Sequence, residues 1–116
     1  MNATTWHVEL VNHGTIPHVE EKIIVALKSC YDPEIPVDIY ELGLIYRVEV
    51  KPDNSVYIEM TLTSPNCPSA GTLPGEVEER IKAIDGVTDA MVDVVFEPPW
   101  DKTMMSDIAL LELGFM

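Results

Sequence analysis

Hydrophobic and polar positions alternate twice between residues 44 and 62 at the spacing of a strand. Leu44, Tyr46, Val48 and Val50 fall on one side and Ile45, Arg47 and Glu49 on the other, because successive strand side chains point to opposite faces. Val56, Ile58, Met60 and Leu62 repeat the alternation after Lys51-Pro52-Asp53-Asn54, a composition suited to a turn. Two such runs joined by a short turn predict a β-hairpin.

A helical period flanks the hairpin on both sides. Val19, Ile23, Ala26, Leu27 and Cys30 recur at helical spacing after Thr15-Ile16-Pro17, and proline is tolerated in a first turn. Glu20 and Glu21 lie near the positive end of that helix and Lys28 near its negative end, which suits the helix dipole. Asp32-Pro33 stops it, since a residue before proline avoids the α region. Leu73, Val77, Ile81 and Ile84 form a second stripe. That helix either begins near Pro74 or begins at Pro68 and is kinked, and both fit the proline rules. Gly86 closes it. Val92, Val94 and Phe96 alternate with Met91, Asp93 and Val95 as a third strand, which Glu97-Pro98-Pro99-Trp100 breaks. Ser106 can cap a short last helix carrying Ile108, Leu110 and Leu111, ended by Gly114.

The predicted order is helix, strand, strand, helix, strand, helix. Helices on one face of a small mixed sheet bury both stripes, so the expected fold is an α+β two-layer sandwich. Residues 34–43 read as irregular, with Gly43 permitting a turn. Residues 1–14 lack a period and read as an arm or an edge strand. The expected organisation is an N-terminal arm, residues 1–15, and one domain, residues 16–116.

Composition agrees with one folded domain. At 116 residues, a chain buries roughly two-thirds of its unfolded surface. Seven Lys and Arg against twenty Asp and Glu give a net charge of −13. That opposes nucleic acid, whose affinity rests on cationic contacts to phosphate, and an anionic membrane surface. It permits cationic protein patches or metal ions, although solubility alone also accounts for it. No apolar run is long enough to span a bilayer. The start, MNATTWHVEL, lacks a cationic stretch before an apolar core, so no secretory signal is expected. Two cysteines make no disulfide framework, and a reducing cytosol is the expected compartment.

The chemistry concentrates in two loops. The stretch TLTSPNCPSAG, residues 61–71, places Cys67 between two prolines ahead of the second helix. A thiol there would feel the helix's free N–H groups and positive end, which lower thiol pKa values. Thr63 and Ser64 can hydrogen-bond a sulfur or a metal-bound ligand, or simply cap the loop. Cys30, on a helical apolar face, reads as a packed residue. The other loop, Asp32-Pro33-Glu34-Ile35-Pro36-Val37-Asp38, carries three carboxylates. These suit a metal or act as a base, or are solvated as most charges are. If they lie near Cys67 they raise its pKa, and a bound cation reverses that conflict. His7, His13 and His18 show no zinc spacing, with His18 expected on the surface of the first turn. Trp100 reads as a core lid or a contact residue, the core being the commoner role.

Taken in order, DPEIPVDIYELGLIY, TLTSPNCP, GEVEERIKAIDGV and FEPPWDKTMMSDIALLELGF resemble the SufT/PaaD-like metal–sulfur cluster assembly domain family. Its members are stand-alone bacterial proteins and parts of the eukaryotic cytosolic iron–sulfur targeting machinery. The resemblance covers residues 16–116. It implies a compact α/β domain acting in maturation of iron–sulfur proteins, with a pocket mapping to Asp32, Glu34, Ile35, Thr63, Ser64 and Cys67. Asp38 stands where some relatives carry asparagine. An iron–sulfur cluster commonly takes a full set of cysteine thiolates, and this chain offers one credible site thiol. The resemblance therefore implies a carrier or adapter without turnover chemistry of its own. Cys67, with Asp32 and Glu34, would hold iron or a cluster transiently. A second subunit (a homodimer is one arrangement), a small thiol or a client apoprotein would complete the coordination. Its partners would be the assembly machinery and client apoproteins. Two other readings stand beside it: a thiol-dependent enzyme or redox protein with Cys67 as the reactive group, and a non-catalytic acidic interaction domain.

Overall fold

The computed structural model describes residues 8–31, 37–62, 73–97, 99–101 and 104–114. Its elements are β1 (Glu9–Asn12), α1 (Val19–Leu27), β2 (Ile45–Val50), β3 (Ser55–Met60), α2 (Leu73–Lys82), β4 (Asp89–Val94) and α3 (Asp107–Glu112). The predicted order holds from α1 onward, and the N-terminal segment supplies an edge strand ahead of it.

The strands form one sheet in the order β1-β2-β3-β4. β2 and β3 pair antiparallel as the predicted hairpin, with Asn54 in the turn at φ 70. β1 runs parallel to β2, and β4 parallel to β3. The sheet is therefore mixed. The register slips between Ile45 and Arg47, so Tyr46 sits in a bulge and turns toward Met104, its hydroxyl 3.5 Å from Sδ.

Val48, Val50, Val56, Ile58, Met60 and Ala90 form the buried face of the sheet. Val19, Ile23 and Leu27 of α1 and Leu73, Val77 and Ile81 of α2 join them in a single core. The predicted stripes are thus the two helical faces that meet the sheet. α1 starts at Val19, two residues beyond Pro17, and its N-cap His18 takes a left-handed conformation. His18 is exposed and faces Glu21 at 3.4 Å, as its first-turn position predicts. Pro74 lies in the first turn of α2.

The C-terminal stretch folds back over the turn before β2. Trp100 Nε1 donates to the Leu42 carbonyl at 2.8 Å and its ring packs against the core, so the core role of Trp100 holds. Ser106 caps α3, its Oγ accepting from Ala109 N at 3.1 Å. The apolar stripe expected on α3 is shifted, however. Ala109 is buried, while Ile108 and Leu111 are 62% and 66% exposed. A six-residue helix presents too little face to bury all its apolar residues.

Candidate functional site

The six predicted site residues, Asp32, Glu34, Ile35, Thr63, Ser64 and Cys67, lie outside the described residues. What the structure does describe is the four flanks of their two segments, and a short backbone relay connects three of these. Tyr31 and Asp38, flanking the first segment, form an antiparallel bridge. Ile39 N donates to Cys30 O at 2.9 Å, Leu44 N to Ile39 O at 3.1 Å, and Thr61 N to Leu44 O at 2.8 Å. The residues on both sides of segment 32–36 and the residue before segment 63–72 therefore lie at one end of the sheet. The second segment rejoins the described fold at Leu73, where α2 begins. α2 is tied to the end of α1 by Arg80 Nη1 donating to Ser29 Oγ at 2.7 Å.

The chemistry of these flanks is distinctive. Asp38 Oδ2 accepts from Glu41 N at 3.0 Å and so closes the turn that carries the relay. Burial pushes the Asp38 carboxyl above its ordinary value, against the lowering effect of that hydrogen bond. A carboxyl raised in the fold binds its proton more tightly there than in the unfolded chain. Stability from this group is therefore present at acid pH and declines as pH rises through the raised pKa. Asp38→Asn keeps an acceptor for Glu41 N and removes the charge. In urea melts, the variant is expected to match wild type near pH 4 and to be the more stable at pH 7. The opposite ordering would contradict the burial argument.

Glu41, the next carboxylate, is buried and pairs with Lys28 Nζ at 3.2 Å. Lys28 also lies 5.5 Å from the Tyr40 ring centroid. Nothing in the hydropathy pattern marks this pair, because its members lie on separate elements. Thr61, the residue before Leu62, is 1% exposed, and its side chain lies beside the Tyr46 hydroxyl.

Cys30 is fully buried in the core, with Sγ 3.6 Å from Ala26 O. Burial raises its pKa, and the Glu76 charge adds to the effect. The packing role assigned from its helical position holds. Iodoacetamide on the folded protein is expected to leave Cys30 unmodified until denaturant is added, as read by peptide mass mapping. Fast labelling in the native state would show that the α1–α2 seam opens. Among the described residues, no three His, Cys, Asp or Glu side chains come together as a metal site. No described helix is long and apolar enough to cross a membrane.

A small α+β domain built on one mixed four-stranded sheet defines a fold class, and comparison with known proteins narrows it. Residues 20–94 match the family described as iron–sulfur cluster assembly protein, and the chain belongs to that family. It is 50% identical over 97 residues to the Fe-S protein maturation auxiliary factor of Porphyromonas gingivalis, covering 84% of this chain and 92% of that one. It is 41% identical over 96 residues to the Fe-S protein maturation auxiliary factor YitW of Bacillus subtilis, covering 83% and 94%. In three dimensions it resembles a domain of unknown function, DUF59, from Bacillus anthracis. That match has a TM-score of 0.78 and 38% identity, over 84% of this chain and 93% of that one. The conserved hypothetical protein TM0487 from Thermotoga maritima matches with a TM-score of 0.72 and 35% identity, over 88% and 97%. Both the fold and the family expected from the sequence are thereby found.

Proposed function

We propose that this chain is an iron–sulfur maturation factor, a carrier or adapter that helps place iron–sulfur clusters in client proteins. The observation that carries the reading is similarity over nearly the whole length of relatives named Fe-S protein maturation auxiliary factors. Iron–sulfur cluster carrier proteins of Deinococcus radiodurans and Mycobacterium tuberculosis carry a similar stretch, at 29% and 31% identity. The cluster is cargo in this reading, and Cys67 is its foothold.

The division of labour follows from ligand chemistry. The Cys67 thiolate would be the soft donor for iron, and Asp32 and Glu34 would offer hard oxygen donors. Thr63 and Ser64 can donate hydrogen bonds to a coordinated sulfur, and Ile35 belongs to the same expected pocket. Cys30 is sealed in the core, so the remaining ligands come from a second subunit, a small thiol or the client itself. Transfer is then ligand exchange: a client thiolate bonds to iron as the Cys67 thiolate leaves, with no change in oxidation state. The partners are the assembly machinery and client apoproteins, and the compartment is a reducing cytosol, where such a thiol persists.

The test is maturation of an apo iron–sulfur enzyme supplied with iron, sulfide and a small thiol under anaerobic conditions. Added wild-type protein is expected to raise the rate at which client activity appears. A rate equal to that of a net-charge-matched control protein would sink the proposal.

A further inference from the structure

The face of the sheet turned away from the helices presents cross-strand rows set by the register. One row runs Glu9, Arg47, Glu59, Asp93 and the next runs Val11, Glu49, Tyr57, Met91. On the β1 side the charges are matched, since Arg47 reaches Glu9 at 2.7 Å and Glu49 at 3.5 Å. On the β4 side they are not. Glu59 and Asp93 stand opposite one another on neighbouring strands, an arrangement that destabilises a sheet. No cation reaches either among the described residues. Both instead accept from the single Tyr57 hydroxyl, at 3.0 and 3.2 Å. One proton serves two carboxylates there.

The strand carrying Asp93 is also an edge. β4 bonds to β3 on one side, and no further strand meets its other side among the described residues. A terminal strand leaves backbone N–H and C=O groups available for a new strand. Met91, between Asp89 and Asp93 on the outer face, is 60% exposed. The charge selects the occupant. A second copy of a chain with net charge −13 would set carboxylates against carboxylates, whereas a cationic strand would neutralise the pair the fold leaves unmatched.

We propose that the β4 edge docks an extended, cation-bearing segment of a partner protein, which adds a strand with an arginine or lysine opposite Asp93 and an apolar side chain opposite Met91. Met91 and Asp93 are two positions apart, with Val92 between them, the spacing at which alternate side chains of a strand share one face. Backbone pairing supplies the affinity and the alternate side chains the specificity. A guanidinium bridging Glu59 and Asp93 makes charge-assisted bonds to both. The proposal uses no residue of segments 32–36 or 63–72, so it stands apart from the sulfur-cargo reading.

The experiment titrates a short acetylated peptide alternating valine and arginine into the full-length protein. Backbone NMR shifts and slowed amide exchange are expected at residues 89–94. Glu59→Gln with Asp93→Asn is expected to weaken binding about tenfold, the scale of a lost hydrogen bond to a charged group. Circular dichroism of that variant checks that it is folded. The same peptide N-methylated at alternate residues keeps its charge but cannot pair as a strand, and is expected not to bind. Equal binding of the N-methylated peptide would overturn strand addition, as would shifts scattered over the acidic surface. A free protein that sediments as a dimer with β4 already protected would overturn the choice of occupant.

Discussion

Gly43→Ala is expected to lose about 3 kcal/mol or more of folding stability, read as a lower urea midpoint with an unchanged slope. Two costs add. Gly43 sits at φ 81, and a left-handed conformation costs a residue with a Cβ roughly 1–2 kcal/mol. The added methyl would also run into the Met104 carbonyl, and overpacking of a fixed neighbour costs roughly 1–3 kcal/mol. Met104 cannot easily give way. Its backbone is held on one side by Met104 N donating to Asp101 O, and on the other by Ser106 N donating to Glu41 O. A domain of this kind holds about 5–15 kcal/mol in all, so the loss is a large fraction.

The damage would also reach the candidate site. Gly43 ends the turn whose residues 39 and 44 are the middle links between the flanks of the two segments. A control on another glycine separates this from a general effect of adding a methyl. Gly75 lies in α2, and a Cβ there meets nothing within 4 Å. Gly75→Ala should therefore stabilise by up to about 1 kcal/mol, the helix-propensity gain. Opposite signs at the two glycines would confirm that the cost at Gly43 is local conformation and contact.

The hairpin and both long helices were legible because each depends on a local period. Val48, Val50, Val56 and Ile58 alternate for the same reason that they share a buried face. β1 was not separable from a free arm. Glu9 and Asn12 are exposed and Leu10 and Val11 half-buried, the burial pattern of an edge, and its partner lies 38 residues along the chain, at Arg47 opposite Glu9. Pairing at that range leaves no periodic mark on a short segment. α3 shows the converse failure: the apolar residues are where they were expected, but Ile108 and Leu111 face water. The candidate site is readable from the sequence only as residue types and motifs, and its six residues lie outside the described ones. No pattern in the string says that residue 30 bonds to 39, 39 to 44 and 44 to 61, although that relay is what brings both sides of segment 32–36 and the residue before segment 63–72 to one end. Thr61 belongs to the TLTSPNCPSAG stretch, and its burial beside the Tyr46 hydroxyl emerges only when the fold surrounds it.

Cys67→Ser is expected to reduce client maturation to the rate seen without added protein, while leaving the urea midpoint close to wild type. The two readouts must separate, because a serine differs from a cysteine at the metal far more than in a loop. A thiol with an ordinary pKa near ~8.5 ionises readily once a cation or helix end favours the thiolate. A serine hydroxyl has no comparable anion at neutral pH and is a hard donor where iron–sulfur chemistry uses soft ones. Cys30→Ser provides the internal comparison. Its side chain is buried beside Ala26 O, so a hydroxyl there changes packing and stability while leaving Cys67 untouched. Maturation per folded molecule should therefore survive Cys30→Ser and vanish with Cys67→Ser. If instead the Cys67 variant matures clients at the wild-type rate, sulfur is not the foothold. The domain would then have to act through its surfaces alone, with the β4 edge as the place to look.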